Sequence, residues 1–255
     1  MSPQLIKAVI FDLDDTLISW SEPAVEWDEF HLGRVELIRS YLAGEGHLLP
    51  ETKEFHHFIR DRLRQTWDNA RDEWVIPPFD KVLGQIFTDL NLDVERVDMQ
   101  TVLERYNWGP FPGVVLFEDA IPVLEELRRR GYKIGLVTNS IFPMWMRDVE
   151  LVEYGLMPFF DARITSGDVG YLKPHPEIYE HILKMLQLRP EQAVFVGDRP
   201  QNDIAGANIA GLTSVLISPP HLDRELEGVV PDYTITTLTE LLPLLETLEK
   251  DNPHE

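Results

Sequence analysis

The feature that most constrains this chain is the regular alternation of helix-like and strand-like segments after Gly113. Helical spacing over 118–130 gives way to a β-branched run at 133–138. A helix at 144–153, a short strand near Arg163, a helix at 177–186 and a strand at 193–196 follow. A helix from about Asp203, strands at 214–217 and near 233–236, and a final helix complete the series. Strands that take turns with helices must cross over the sheet, so the pattern predicts an α/β fold with a parallel sheet covered on both faces. The compact apolar run 6–11, which stops at an acidic turn, reads as one more buried strand. In such sheets ligands bind beyond the carboxyl ends of the strands, and Asp12, Thr138 and Asp198 all fall at that end of a predicted strand.

The stretch between these two parts has another character. Phe55, Ile59 and Leu63, then Val82, Ile86 and Leu90, recur at helical spacing with almost no strand-like run between them. Residues 19–108 are therefore expected to form a helical insert, within a core made of 1–18 and 109–255. Its internal break is expected near Pro77-Pro78, and Pro110, Pro112 and Gly113 stiffen the return. The residues from Asp251 read as a loose tail.

Composition narrows the partners. A chain of 255 residues with 44% hydrophobic content has enough apolar material for a sizeable core. The formal charge of -21 opposes binding to nucleic acid or an anionic membrane, because such affinity needs clustered Lys and Arg, and it leaves a small molecule as the expected partner. With no cysteine, disulfides, thiolate metal sites and a thiol nucleophile are excluded, and the reducing cytoplasm is the expected compartment. The apolar run 8–11 is too short for a signal peptide or a membrane span, and no other stretch is long enough to span.

Four constellations carry chemistry. Asp12-Leu13-Asp14-Asp15-Thr16-Leu17 follows the first strand, and two carboxylates one residue apart at a buried strand mouth repel unless a proton or a hard cation separates them. Thr138-Asn139-Ser140 brings hydroxyl and amide donors into a loop, as a simple cap or turn also would. Lys173 stands alone before Pro174-His175-Pro176, and Gly197-Asp198-Arg199-Pro200-Gln201-Asn202-Asp203 sets two acids around a strand-to-helix junction. Each has an ordinary structural explanation, but the four would have to coincide.

In this order the four motifs resemble the signature of the haloacid dehalogenase superfamily, over 6–16 and from Gly113 to about Ile217. The position of the insert resembles that family's helical cap. The resemblance implies a three-layer, Rossmann-like α/β core with a small α-helical cap, and a magnesium-dependent phosphatase acting on a small phosphorylated metabolite. It implies Asp12 as nucleophile, Asp14 as general acid and base, Lys173 as charge stabiliser, and Thr138 and Asn139 as phosphate ligands. Asp12, Asp14 and Asp198 are then the expected magnesium site, with Asp203 supporting it from behind. Asp14 argues against a dehalogenase, since halide leaves without a proton. A phosphonate hydrolase would need a cap lysine, and the cap offers only Lys53 and Lys81, both at solvated helical positions. A sugar phosphomutase shares the Asp12 and Asp14 pair, and a non-catalytic binding module would keep the fold but is expected to lose a motif residue. Within the insert, Trp20 could face the site, whereas Trp27, Phe30, Trp67 and Trp74 read mostly as core. Arg60, Arg62 and Arg64 cannot share one helical face.

Overall fold

The computed structural model describes residues 6–222 and 224–250, so the tail read from Asp251 lies outside the described residues. In chain order the elements are β1 (Ala8–Phe11), β2 (Ile18–Ser19), α1 (Trp27–Gly44), α2 (Thr52–Glu73), α3 (Phe79–Asp89), α4 (Met99–Tyr106) and β3 (Val115–Leu116). They continue with α5 (Ala120–Arg129), β4 (Lys133–Thr138), α6 (Met144–Glu153), β5 (Ala162–Thr165), α7 (Ser166–Val169), α8 (Pro176–Leu186) and β6 (Ala193–Gly197). The last are α9 (Ala205–Ala210), β7 (Thr213–Ile217), β8 (Tyr233–Ile235) and α10 (Leu241–Lys250).

Six strands form one sheet in the order β5-β4-β1-β6-β7-β8. Every pairing in it is parallel, as the alternation of elements predicts. β1 sits inside, so its side chains are buried on both faces and alternate between them. Val9 and Phe11 join one apolar cluster, while Ala8 and Ile10 join the other, beneath α8. The central place of β1 brings the end of its strand between those of β4 and β6.

Four helices, α1 to α4, intervene between β2 and β3. Those two strands pair antiparallel as a small ribbon, Ile18 against Leu116 and Ser19 against Val115. The ribbon was not expected, since two residues per strand show no periodicity. Beside it Gly113 has φ +87, and a Cβ there would lie 2.4 Å from both Ala24 N and Glu22 O, so only glycine lets the outgoing and returning chains cross so closely. A second tie runs from the end of α2. Ile76 N–H donates to Gly170 O at 3.0 Å and Leu172 N–H to Trp74 O at 2.8 Å, joining the insert to the segment that carries Lys173.

Candidate functional site

Parallel register places the ends of three strands side by side: Phe11 stands opposite Leu136 of β4 and Val196 of β6. The next residues therefore emerge at one edge, and Asp12 N–H donates to Val196 O at 2.9 Å. Onto this edge the loop after α7 brings Lys173, which is 2% exposed. Its Nζ lies 2.6 Å from Asp12 Oδ1 and 2.7 Å from Asp203 Oδ1, and it donates to Val137 O at 3.0 Å. Asn139 holds that loop at both backbone groups. Its Nδ2 donates to Lys173 O at 3.0 Å and its Oδ1 accepts from Lys173 N–H at 2.8 Å, so the Asn139 side chain serves to position the lysine.

Asp12, Asp198 and Asp203 are buried, and each offers a carboxylate oxygen within 4.8 Å of the others. Burial pushes the Asp12 carboxyl well above its ordinary range, against the lowering effect of Lys173, with the Asp203 and Asp198 charges adding to the rise. Burial likewise lifts Asp198, to about 7, with Asp203 contributing. Lys173 goes the other way from what burial alone would do, because the Asp12 and Asp203 charges hold it above the usual ammonium value. Asp203 sits in a π-helical turn, Pro200–Ile204. Its Oδ2 accepts Arg199 N–H at 2.9 Å, and a Cβ on Gly197 would meet its carboxyl carbon at 2.4 Å, so glycine at 197 gives this carboxylate its place.

This donor set suits a hard divalent cation. It is all carboxylate oxygen, and Asp198 Oδ1 is buried with no hydrogen-bond partner among the described residues. Arg224, from the loop before β8, occupies the other oxygen of Asp198 at 2.6 Å and reaches Asp15 Oδ2 at 3.0 Å.

Asp203, expected behind the site, is among the carboxylates gathered with Asp12 and Asp198, whereas Asp14, expected as a further magnesium ligand, is not. Its carboxylate accepts Trp20 Nε1–H at 2.8 Å, Thr138 Oγ1–H at 3.2 Å and Arg147 Nη2–H at 3.1 Å. Burial would raise its carboxyl, but the Arg147 charge and these bonds hold it below the ordinary value. Arg147, itself buried, also pairs with Glu150, whose Oε2 accepts Trp108 Nε1–H at 2.9 Å. Sequence reasoning missed Arg147, Glu150 and Arg224. For the first two a signal existed: Arg147 and Glu150 share the buried face of α6 with Met144 and Leu151, and charges at core spacing mark a buried ion pair. Removing one partner should expose its strength. Arg147→Met leaves Glu150 buried without a cation, and should cost about 3 kcal/mol of unfolding free energy in urea melts, most of it recovered in the double variant with Glu150→Gln.

Two cavities open at this edge. The smaller, ≈ 330 Å³, is lined by Asp12, Asp14, Thr138, Lys173 and Asp203, together with Trp67, Arg71 and Trp74 from α2 and its C-terminal end. The larger, ≈ 690 Å³, lies between α1, α2 and the loops after β1 and β4. Arg60 and Arg64, four residues apart, both line it, whereas Arg62 turns away to pair with Asp89. The expectation that the insert's aromatic residues are mostly core holds for Phe30, which is buried, and for Trp67 and Trp74, which pack against the core and also line a cavity. Trp27 is the exception, 46% exposed and lining the larger cavity.

The model of the haloacid dehalogenase-like hydrolases matches residues 6–211. A glyceraldehyde 3-phosphate phosphatase from Methanopyrus kandleri is 30% identical over 251 residues, covering 97% of this chain and all of that protein. The pyrophosphatase PpaX of Bacillus mycoides is 30% identical over 251 residues, 95% of this chain and 98% of that one. Among solved structures, a phosphatase from Thermococcus onnurineus superposes with a TM-score of 0.59 at 30% identity, covering 94% of this chain and 98% of that chain.

Proposed function

The chain belongs to the haloacid dehalogenase-like hydrolases, and from that premise we propose that it is a magnesium-dependent phosphatase of a small phosphomonoester, working through a phosphoryl group carried on Asp12. The observation that carries this reading is Lys173, buried between Asp12 and Asp203, two acids that gather with Asp198, one of whose oxygens has no partner among the described residues. An anionic substrate can approach three carboxylates only if cations gather there first. Asp12 and Asp198 would hold the metal, with Asp203 behind them, and magnesium when bound supplies Lewis-acid charge to the phosphoryl oxygens. Asp12 attacks phosphorus and the ester P–O bond breaks, while the departing oxygen takes a proton from Asp14. Water then gives its proton to Asp14, attacks phosphorus, and returns Asp12 as a carboxylate.

Thr138 and Asn139 lie beside this centre, the first as a hydroxyl donor and the second through its hold on Lys173. Residues 19–108 serve in this reading as a cap over a core of 1–18 and 109–255, closing the site against water. Lys53 and Lys81 are exposed, which gives no support to Schiff-base chemistry from the cap. Among the described residues no helix is long and apolar enough to cross a membrane. The reading is tested by a screen of phosphorylated metabolites with and without magnesium; full turnover after exhaustive chelation would remove the metal from it.

Magnesium should also raise the melting temperature, and more so near pH 8 than near pH 6. In the folded chain Asp198 binds a proton up to about 7, whereas its ordinary value is 3.8. That proton stabilises the metal-free fold below 3.8, and its contribution is lost as pH rises through about 7. Metal must displace the same proton, so its affinity should grow over that interval by up to about tenfold per pH unit. Thermal melts with magnesium and with chelator check this, and a gain that shrinks with rising pH contradicts Asp198 as a ligand.

A further inference from the structure

The two cavities share Asp14, Trp67, Asn139 and Arg199, so they adjoin at these side chains. Taking the proposed phosphatase reading as its basis, the phosphoryl group belongs in the smaller cavity with Asp12 and Lys173. Asp14 stands at the junction, where the departing oxygen must be protonated. The alcohol half of the substrate must then project into the larger cavity.

We propose that this alcohol carries a flat aromatic ring, as a nucleoside or another heteroaromatic alcohol does, seated on the indoles of Trp20, Trp27 and Trp67. At ≈ 690 Å³ the cavity has the size that encloses a ring-bearing ligand, and a three-carbon alcohol would leave most of it to water lying on apolar walls. Trp20 and Trp27 stack with centroids 5.4 Å apart at 10°, and His31 continues the stack 4.9 Å from Trp27 at 21°. Trp27 is nonetheless 46% exposed and lines the cavity, so part of its indole stays open beyond the rings packed on it. The stack is tied to the chemistry, because Trp20 Nε1–H donates to Asp14 Oδ1 at 2.8 Å.

The charges in the larger cavity are mostly satisfied within the protein. Asp14 faces Arg147 and Asp28 faces Arg60 at 3.1 Å. Among the described residues Arg64 lines this cavity without an ion pair, whereas Arg199 is held charged, against the effect of its burial, by the carboxylates of Asp198, Asp12, Asp203 and Asp14. A guanidinium plane such as that of Arg64 can stack on a ring or donate to its carbonyl groups. A wall of indoles with the Arg64 guanidinium beside it fits a flat, polar-edged ring better than a small polyol.

The test uses the whole protein with magnesium and unphosphorylated alcohols, so that binding is read without any hydrolysis and a failed phosphatase assay remains a separate result. Calorimetry should show adenosine or pyridoxine binding at least about tenfold tighter than glycerol or erythritol, and Trp27→Ala should weaken the ring alcohols at least about fivefold, the scale of one lost stacking partner. Trp67→Leu, from a different helix, should act in the same direction and keeps the test valid if the first variant fails to fold. A margin below tenfold for both ring alcohols overturns the proposal, as does an unchanged ring affinity in the folded variants.

Discussion

Asp12→Asn should stop turnover, by about 10⁴-fold or more, in a protein that still folds. The amide has nearly the shape of the carboxylate but is no nucleophile, so a step that needs a bond from Asp12 to phosphorus has no substitute. Its carbonyl oxygen can still accept from Lys173, which at 2.7 Å from Asp203 keeps a charged partner in any case. One of three crowded buried carboxylates loses its charge, which relieves the repulsion from Asp198 and Asp203 that helps to raise the Asp12 carboxyl. The melting temperature should therefore hold or rise while activity disappears. Turnover of an aryl phosphate and a thermal melt on the same sample check both halves. A rate within tenfold of the parent removes Asp12 from the role of nucleophile, and a lost fold would instead point to a structural duty for its charge.

The sequence made the sheet legible because buried parallel strands must be apolar runs and their crossovers must be amphipathic helices. The same logic exposed Asp12, Thr138 and Asp198, polar residues standing where such a strand ends. The ribbon of β2 and β3 escaped it, since a pairing of two residues across a long insertion has no local pattern. Trp27 was misread for a related reason: helical periodicity identifies a face without saying whether that face meets core or cavity, and Trp67 and Trp74 meet both. On α2 the spacing rule correctly divides Arg60 and Arg64 from Arg62, yet it does not tell which group lines the site. Arg224 left no trace at all, being a lone arginine in a loop whose reach to Asp198 depends on the tertiary path.

Asp14→Asn should separate the two halves of the reaction. If Asp14 gives a proton to the leaving alcohol and later takes one from water, an alkyl phosphate should lose about 10² to 10⁴ in turnover, because neither transfer has another group in place. An aryl phosphate has an acidic leaving group and needs little protonation, so transfer of phosphate to Asp12 should stay comparatively fast. Hydrolysis should then be slow, since the attacking water has lost its base. Rapid mixing with magnesium should give a burst of phenol approaching one equivalent per chain, a slow steady state, and phosphate retained on the protein. Arg147 sharpens the expectation. Its guanidinium contacts both oxygens at 3.1 and 3.3 Å and holds Asp14 toward the charged carboxylate, which favours the step that takes a proton from water and opposes the earlier step that gives one to the leaving alcohol. Arg147→Met should release that hold and shift the pH dependence of aryl phosphate turnover upward, while Asp14→Asn should abolish that limb of the profile. An unchanged rate on alkyl phosphates in Asp14→Asn would mean that another group carries the proton, although among the described residues Asp14 is the one carboxylate that lines both cavities.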